Sequence, residues 1–249
     1  MGYADKLRDK NIVVFGASTG IGFGAAAAFL DVGANVTIIS SSQEKLENAV
    51  KRLDSPKAKS LVVNVRDEDA VVKALQSLAP VDHVVFSAVD NIIRGKLEDL
   101  SLDEAKRLFG VKFWGAVTLG KAVLKYNIIR SGGSLTLTSG TAALKPGKGA
   151  AVGGALNGGV LSLTRGLASD LAEKKIRVNT VVPGLVKTEL WDKQGKTPEE
   201  QDEIFTGASS KLPVGFVATP EHIAEAYLYA VRADYATGTL IEIDGGVLL

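Results

Sequence analysis

The sequence predicts an α/β fold, a doubly wound parallel sheet of about seven strands with helices on both faces, and three observations carry that expectation. Short β-branched runs alternate with longer amphipathic or Ala-rich stretches, the pattern of repeated strand–helix–strand units. Most of the strand-like runs are apolar almost throughout, as strands covered on both faces must be. The 249 residues, 46% of them hydrophobic, suffice for one full core, and no repeat, low-complexity tract or Pro/Ser-rich linker marks a boundary, so one domain over 1–249 is expected.

The first strand is Asn11 to Phe15, and it runs straight into Gly16-Ala17-Ser18-Thr19-Gly20-Ile21-Gly22 and an Ala-rich helix. Glycines at these spacings let a backbone turn tightly beneath a pyrophosphate, while the helix start offers free N–H groups, so Gly16, Ser18, Thr19, Gly20, Ile21 and Gly22 are read as a Rossmann-like dinucleotide turn. The second strand, Asn35 to Ser40, ends in Ser40-Ser41-Ser42, where an NAD site usually carries an acid for the ribose hydroxyls. An acid would repel a 2′-phosphate and three hydroxyls can donate to one, so NADP(H) is expected over NAD(H). These serines would also cap the next helix with or without a phosphate, and Ser41 with Glu44 is spaced as a capping box.

The third strand is Ser60 to Asn64 and the fourth His83 to Phe86, with Asp90 and Arg94 beyond it either as a solvated pair or facing a ligand. Ser101 and Glu104 open a helix that carries Phe113 and Trp114, and the fifth strand is Ser134 to Thr138. The following helix holds Gly153, Gly154, Gly158 and Gly159, each costing about 0.8 to 1 kcal/mol relative to Ala, which is tolerable where a backbone, a subunit or a bulky ligand comes close. After the sixth strand, Arg177 to Val182, the polar segment Leu190 to Leu212 with Trp191 reads as a substrate lid or a long surface loop. Thr219-Pro220-Glu221 caps the last helix, and the last strand is Thr239 to Ile243.

Composition removes other classes. A net charge of +1 supplies no general field for nucleic acid. Without cysteine there is no disulfide framework, thiolate zinc site or Cys nucleophile, and two isolated histidines, His83 and His222, make no metal set; His83 is read as structural. A reducing, cytoplasmic setting is expected. Met1 to Lys10 lacks the apolar stretch of a secretory signal, Gly2 lacks the following Ser or Thr of a myristoylation motif, and no apolar run reaches about 18 residues, so no membrane association is expected.

These residues together resemble the short-chain dehydrogenase/reductase family over nearly the whole chain. The glycine turn matches in sequence and position. Asn64-Val65 sits where the family contacts adenine, and Ser87-Ala88-Val89 stands for its Asn-Ala-Gly. Pro183-Gly184-Leu185-Val186-Lys187-Thr188 matches its Pro-Gly turn with a Thr for the nicotinamide amide, and Ile243-Asp244-Gly245-Gly246 its closing strand. The resemblance implies catalysis by Asn, Ser, Tyr and Lys, of which only Ser139 is kept. Alignment on Leu163-Thr164-Arg165 puts Gly153 at the Tyr position and Asn157 at the Lys position, and Lys112 falls where the Asn belongs. A divergent branch with this same loss includes reductases of secondary metabolism, some of which also steer a cycloaddition. Those last carry an acid near Gly149, where this chain has Lys145-Pro146-Gly147-Lys148-Gly149. The family further implies a homodimer or homotetramer through helices near 101–126 and 153–173.

Reduction of a ketone leaves an alkoxide that needs a proton, and Ser139, water or Lys112 would have to supply it. A cyclic iminium avoids the need, because its nitrogen starts positive and ends neutral. The expectation is an NADPH-dependent reductase of a C=N or C=O group in a small substrate touching Asp90, Gly153 and Trp191. The alternative is a non-redox nucleotide-binding protein of the same fold, a regulatory module or a cyclisation template.

Overall fold

The structure is a computed structural model that describes residues 5–249. Met1 to Ala4, where the reading of the chain's start began, lie outside the described residues. The elements run β1 (Asn11–Phe15), α1 (Gly20–Asp31), β2 (Asn35–Ser40), α2 (Gln43–Leu53), β3 (Ala58–Val62), α3 (Glu68–Leu78), β4 (Val81–Phe86), α4 (Leu102–Lys125), β5 (Ile129–Thr138), α5 (Ala151–Asp170), β6 (Arg177–Pro183), α6 (Pro198–Ser209), α7 (Pro220–Arg232) and β7 (Leu240–Ile243). The seven strands form one parallel sheet in the order β3-β2-β1-β4-β5-β6-β7. The chain builds outward from β1 to β3, then crosses back to β4 on the other side of β1. That reversal is a topological switch point, where a ligand crevice opens beyond the carboxyl ends of the strands.

Alternation within β1 shows why its run is apolar throughout. Val13 and Phe15 pack with α3, α4 and α5 through Leu75, Leu119 and Leu167 on one face. Ile12 and Val14 pack with α1, α2 and α7 through Phe29, Leu46 and Tyr227 on the other. Both faces are dry, so polar alternation has no place in the strand.

Several boundaries differ from the sequence reading. β3 starts at Ala58 and stops at Val62, because its ladder partner β2 ends at Ser40, opposite Val62; Asn64 therefore lies beyond the strand. β5 begins at Ile129, five residues before the expected start, and absorbs Gly132-Gly133 in an irregularity opposite Val81 and His83. The cap of α2 is Ser42, whose Oγ accepts the Lys45 N–H at 3.4 Å, so the Ser41–Glu44 box does not form. Ser101 does cap α4, accepting the Glu104 N–H at 3.2 Å, while the Glu104 carboxylate turns to Arg107. At α7, Thr219 is the cap and its N–H donates to His222 Nδ1 at 3.1 Å. His83 is buried, with Nδ1 2.9 Å from Ser134 Oγ, and burial pushes its pKa down to about 4, in keeping with a structural role.

Candidate active site

A cleft of about 800 Å³ opens at the switch point, and every residue assigned above to cofactor, catalysis or substrate lines it. Its floor is the β1–α1 turn. Gly16 holds φ +76°, and a Cβ there would stand 2.5 Å from the Ala88 backbone, so β1's exit and β4's exit touch through a bare glycine. A Cβ on Gly22 would lie 2.4 Å from the Gly16 carbonyl oxygen. Gly22 is therefore required by the turn's own packing rather than by clearance for a ligand. Thr19 caps α1 without a side-chain bond, which leaves the N–H groups of Gly20, Ile21 and Gly22 without intrahelical acceptors at the positive end of the helix.

One end of the cleft is lined by Ser18, Ser40, Ser41, Ser42, Asn64 and Val65. Ser18 Oγ donates to Ser40 Oγ at 3.1 Å, joining the glycine turn to the end of β2, while Ser41 is exposed and available. Sequence reasoning missed two cations here. Lys45, on the first turn of α2, and Arg66, after Val65, both line the same end. The signal for Lys45 was one helical turn past Ser41.

At the other end stand Ser87, Ala88, Asn157, Pro183, Gly184, Val186 and Thr188, with Lys112 and Ser139 between them. Lys112 Nζ donates to the Ser139 carbonyl oxygen at 2.9 Å, and burial pushes its pKa down to about 8. No carboxylate pairs with it among the described residues. Ser139 Oγ donates to the Asn157 carbonyl oxygen at 2.9 Å. Asn157 Nδ2 in turn donates to the Gly153 carbonyl at 2.8 Å, and its buried Oδ1 has no partner. A buried orphan acceptor is costly unless a donor arrives, and a ribose hydroxyl is such a donor. The bare glycines, the α1 amides at the helix start and this acceptor together fit a dinucleotide.

The position of Gly153 is closed by backbone. A Cβ there would be 2.7 Å from the Ile93 carbonyl oxygen, so the 89–95 loop fills the space that a longer side chain would need. Gly154 similarly faces the Ala142 carbonyl and Gly159 the Phe113 ring, contacts within the chain, whereas a Cβ on Gly158 would meet nothing within 4 Å. No tyrosine, histidine or cysteine lines the cleft among the described residues, and its acids are Asp90 and Glu189. Asp90 is not a pair with Arg94: its carboxylate meets Arg66 and lies 3.7 Å from Arg107.

The Leu190 to Leu212 segment is structured. Trp191 to Gln194 form a short 3₁₀ turn, and Thr197 with Glu200 closes a capping box for α6. Thr197-Pro198-Glu199-Glu200 carried that signal in the sequence. Trp191 stacks edge-on with Phe205 at 5.7 Å and donates its indole N–H to the Val186 carbonyl at 3.0 Å. From the same turn Lys193 Nζ reaches across the cleft to the Asp90 carbonyl oxygen at 2.7 Å, and Gln194 bonds Asn91.

Residues 16–248 match the family described as enoyl-(acyl carrier protein) reductase. The chain is 33% identical to short-chain dehydrogenase/reductase fsr5 of Gibberella fujikuroi, covering 99% of this chain and 97% of that one. The structure of MalC reductase/Diels-Alderase from Malbranchea aurantiaca superimposes with a TM-score of 0.89 at 31% identity, covering 99% of both chains. A small-chain dehydrogenase solved in complex with NADPH gives a TM-score of 0.78 at 32% identity over 96% of this chain and 99% of that one. With the glycine turn, the switch-point cleft and the strand order already in place, these likenesses settle the family: the chain belongs to the short-chain dehydrogenase/reductases, a family of oxidoreductases.

Proposed function

We propose that the protein is an NADPH-dependent reductase of a C=N bond, as an imine or iminium, or of a C=O bond, in a small secondary-metabolite substrate, acting without the usual tyrosine and lysine. The observation that carries the reading is the closure of position 153 by the Ile93 carbonyl, in a cleft whose dinucleotide end is complete. NADPH, when bound, would supply hydride. The α1 amides and the glycine turn would hold its diphosphate, and Asn157 Oδ1 would accept from a ribose hydroxyl. Ser41, Ser42 and Lys45 would receive the 2′-phosphate, which an acid at the end of β2 would repel. The NADPH complex of one relative and the reductase name of another support this reading.

On the substrate side the Trp191–Gln194 turn and α6 form a lid that excludes water, while Trp191 and Gly153 bound the space for the acceptor carbon. Lys112 is the one lysine held in the interior of this end. At neutral pH it carries a proton at Nζ that it can lend to a developing alkoxide. An iminium needs no such proton, because its nitrogen starts positive and ends neutral when hydride arrives.

The test is NADPH oxidation by the purified protein over a panel of aldehydes, ketones and cyclic imines, beside NADPH and NADH titrations. The expected result is tighter NADPH binding than NADH and faster turnover of imines than of matched ketones. Binding without turnover of any class would favour the non-redox alternative.

A further inference from the structure

The first turn of α1 contains no acid, and its cap Thr19 makes no side-chain bond, so its amides take an acceptor from elsewhere. That acceptor is Glu189, 169 residues further along the chain: the Gly20 N–H donates to Glu189 Oε2 at 3.0 Å. The approach is built into the fold. A Cβ on Gly20 would lie 3.3 Å from Thr188 Cβ, so the segment leaving β6 runs directly against the glycine turn and delivers the next side chain to the helix end.

The same carboxylate meets a cation through its other oxygen. Arg52 Nη1 is 3.8 Å from Glu189 Oε1, and the Arg52 guanidinium rests on the Phe23 ring at 4.1 Å. The Glu189 side chain is 45% exposed, which leaves it room to quit the Gly20 N–H while keeping Arg52.

We propose that Glu189 competes with the cofactor's diphosphate for the α1 amides, and that the dinucleotide binds by displacing this carboxylate from the Gly20 N–H, leaving it on Arg52 alone. The inference rests on the cofactor reading above and adds what sets the affinity. A carboxylate and a diphosphate are both anions, and one helix end cannot stabilise both at hydrogen-bond distance. Part of the gain from binding phosphate is thus spent on evicting Glu189. A resident competitor keeps cofactor affinity moderate and speeds exchange of spent cofactor, which suits an enzyme that must reload every cycle.

The experiment is calorimetric titration of NADPH, and of ADP as a probe with the diphosphate but no nicotinamide, into wild type, Glu189→Gln, Arg52→Gln and the lid control Asp192→Asn. Thermal unfolding is followed with and without NADPH. Glu189→Gln is expected to bind both probes about five- to thirtyfold tighter, the range of a helix-end anion contact. It also melts lower than wild type without cofactor and higher with it, because a helix cap is lost in one state and a competitor in the other. Arg52→Gln is expected to bind more weakly, since the displaced carboxylate has lost its remaining partner. The proposal is overturned if Glu189→Gln binds no tighter, or if Asp192→Asn tightens binding equally, which would mean general charge and no competition. Wild type that binds neither probe would instead overturn the cofactor reading, and this inference with it.

Discussion

The two ends of the cleft are held by different kinds of group. At the α1 end the contacts that matter are backbone: Gly16 against Ala88, Gly22 against the Gly16 carbonyl, and the amides of Gly20 to Gly22, which have no intrahelical acceptor. At the α5 end they are side chains meeting backbone carbonyls, with Lys112 on Ser139, Ser139 on Asn157 and Asn157 on Gly153. A backbone cradle depends on glycines and tolerates almost nothing else, so it reads like its relatives. A side-chain site can exchange its chemistry while its walls stay, and here the wall beside Gly153 is the Ile93 carbonyl.

The largest effect expected from this contrast is at Gly16. Gly16→Val places a β-branched side chain at φ +76° and 2.5 Å from Ala88, costing about 3 kcal/mol of stability and abolishing NADPH binding. Denaturant unfolding and NADPH titration check it; retained binding would mean that the cradle is not held by backbone contact.

Gly153→Tyr tests the other end. The ring must displace the Ile93 carbonyl, so a loss of about 1–3 kcal/mol is expected, with no gain in ketone reduction. A gain, measured as kcat/KM for a ketone, would show that the site merely lacks its tyrosine and has not been rebuilt around the loss.

Lys112→Met is expected to separate stability from activity. Burial lowers the Lys112 pKa from 10.5 to about 8, so the folded state binds protons less readily than the unfolded one. Its stability therefore rises with pH through the window from 8 to 10.5, and the full penalty stands below it. Removing the charge should stabilise the protein at neutral pH by on the order of 2 to 3 kcal/mol and flatten that pH dependence. Ketone reduction should fall by about 10²-fold while iminium reduction holds. Chemical denaturation at several pH values, beside rates on both substrates, tests this directly.

The smallest effect is at the phosphate pocket. Ser41→Asp should weaken NADPH by roughly tenfold and leave NADH unchanged or improved, through one added negative charge beside the 2′-phosphate. Equal loss for both cofactors would remove Ser41 from the phosphate contact.

The same division explains what the sequence revealed. β1, β2 and the turn between them were legible to the residue, because a buried apolar run followed by Gly16, Gly20 and Gly22 admits few structures. Lys112 was visible only through the family resemblance, at the position where an Asn belongs, and its burial against the Ser139 carbonyl depended on how α4 meets β5. Glu189 and Lys193 were not legible at all as site residues. Their partners, Gly20 and Asp90, lie 169 and 103 residues away, and no local spacing encodes such pairs. Asp90 lines the cleft as expected yet has other partners, since Arg66 reaches it from the loop after β3 and Arg107 from α4, approaches that are tertiary.

The most direct test of reduction without a tyrosine is single-turnover transfer from NADPH deuterated at C4 to a matched cyclic imine and cyclic ketone, followed by mass spectrometry either side of pH 8, where Lys112 titrates. Deuterium is expected in both products, with the imine product forming faster at every pH and only the ketone rate falling above pH 8. Deuterium in neither product, or a ketone that outruns the imine with no loss above that pH, would contradict that expectation.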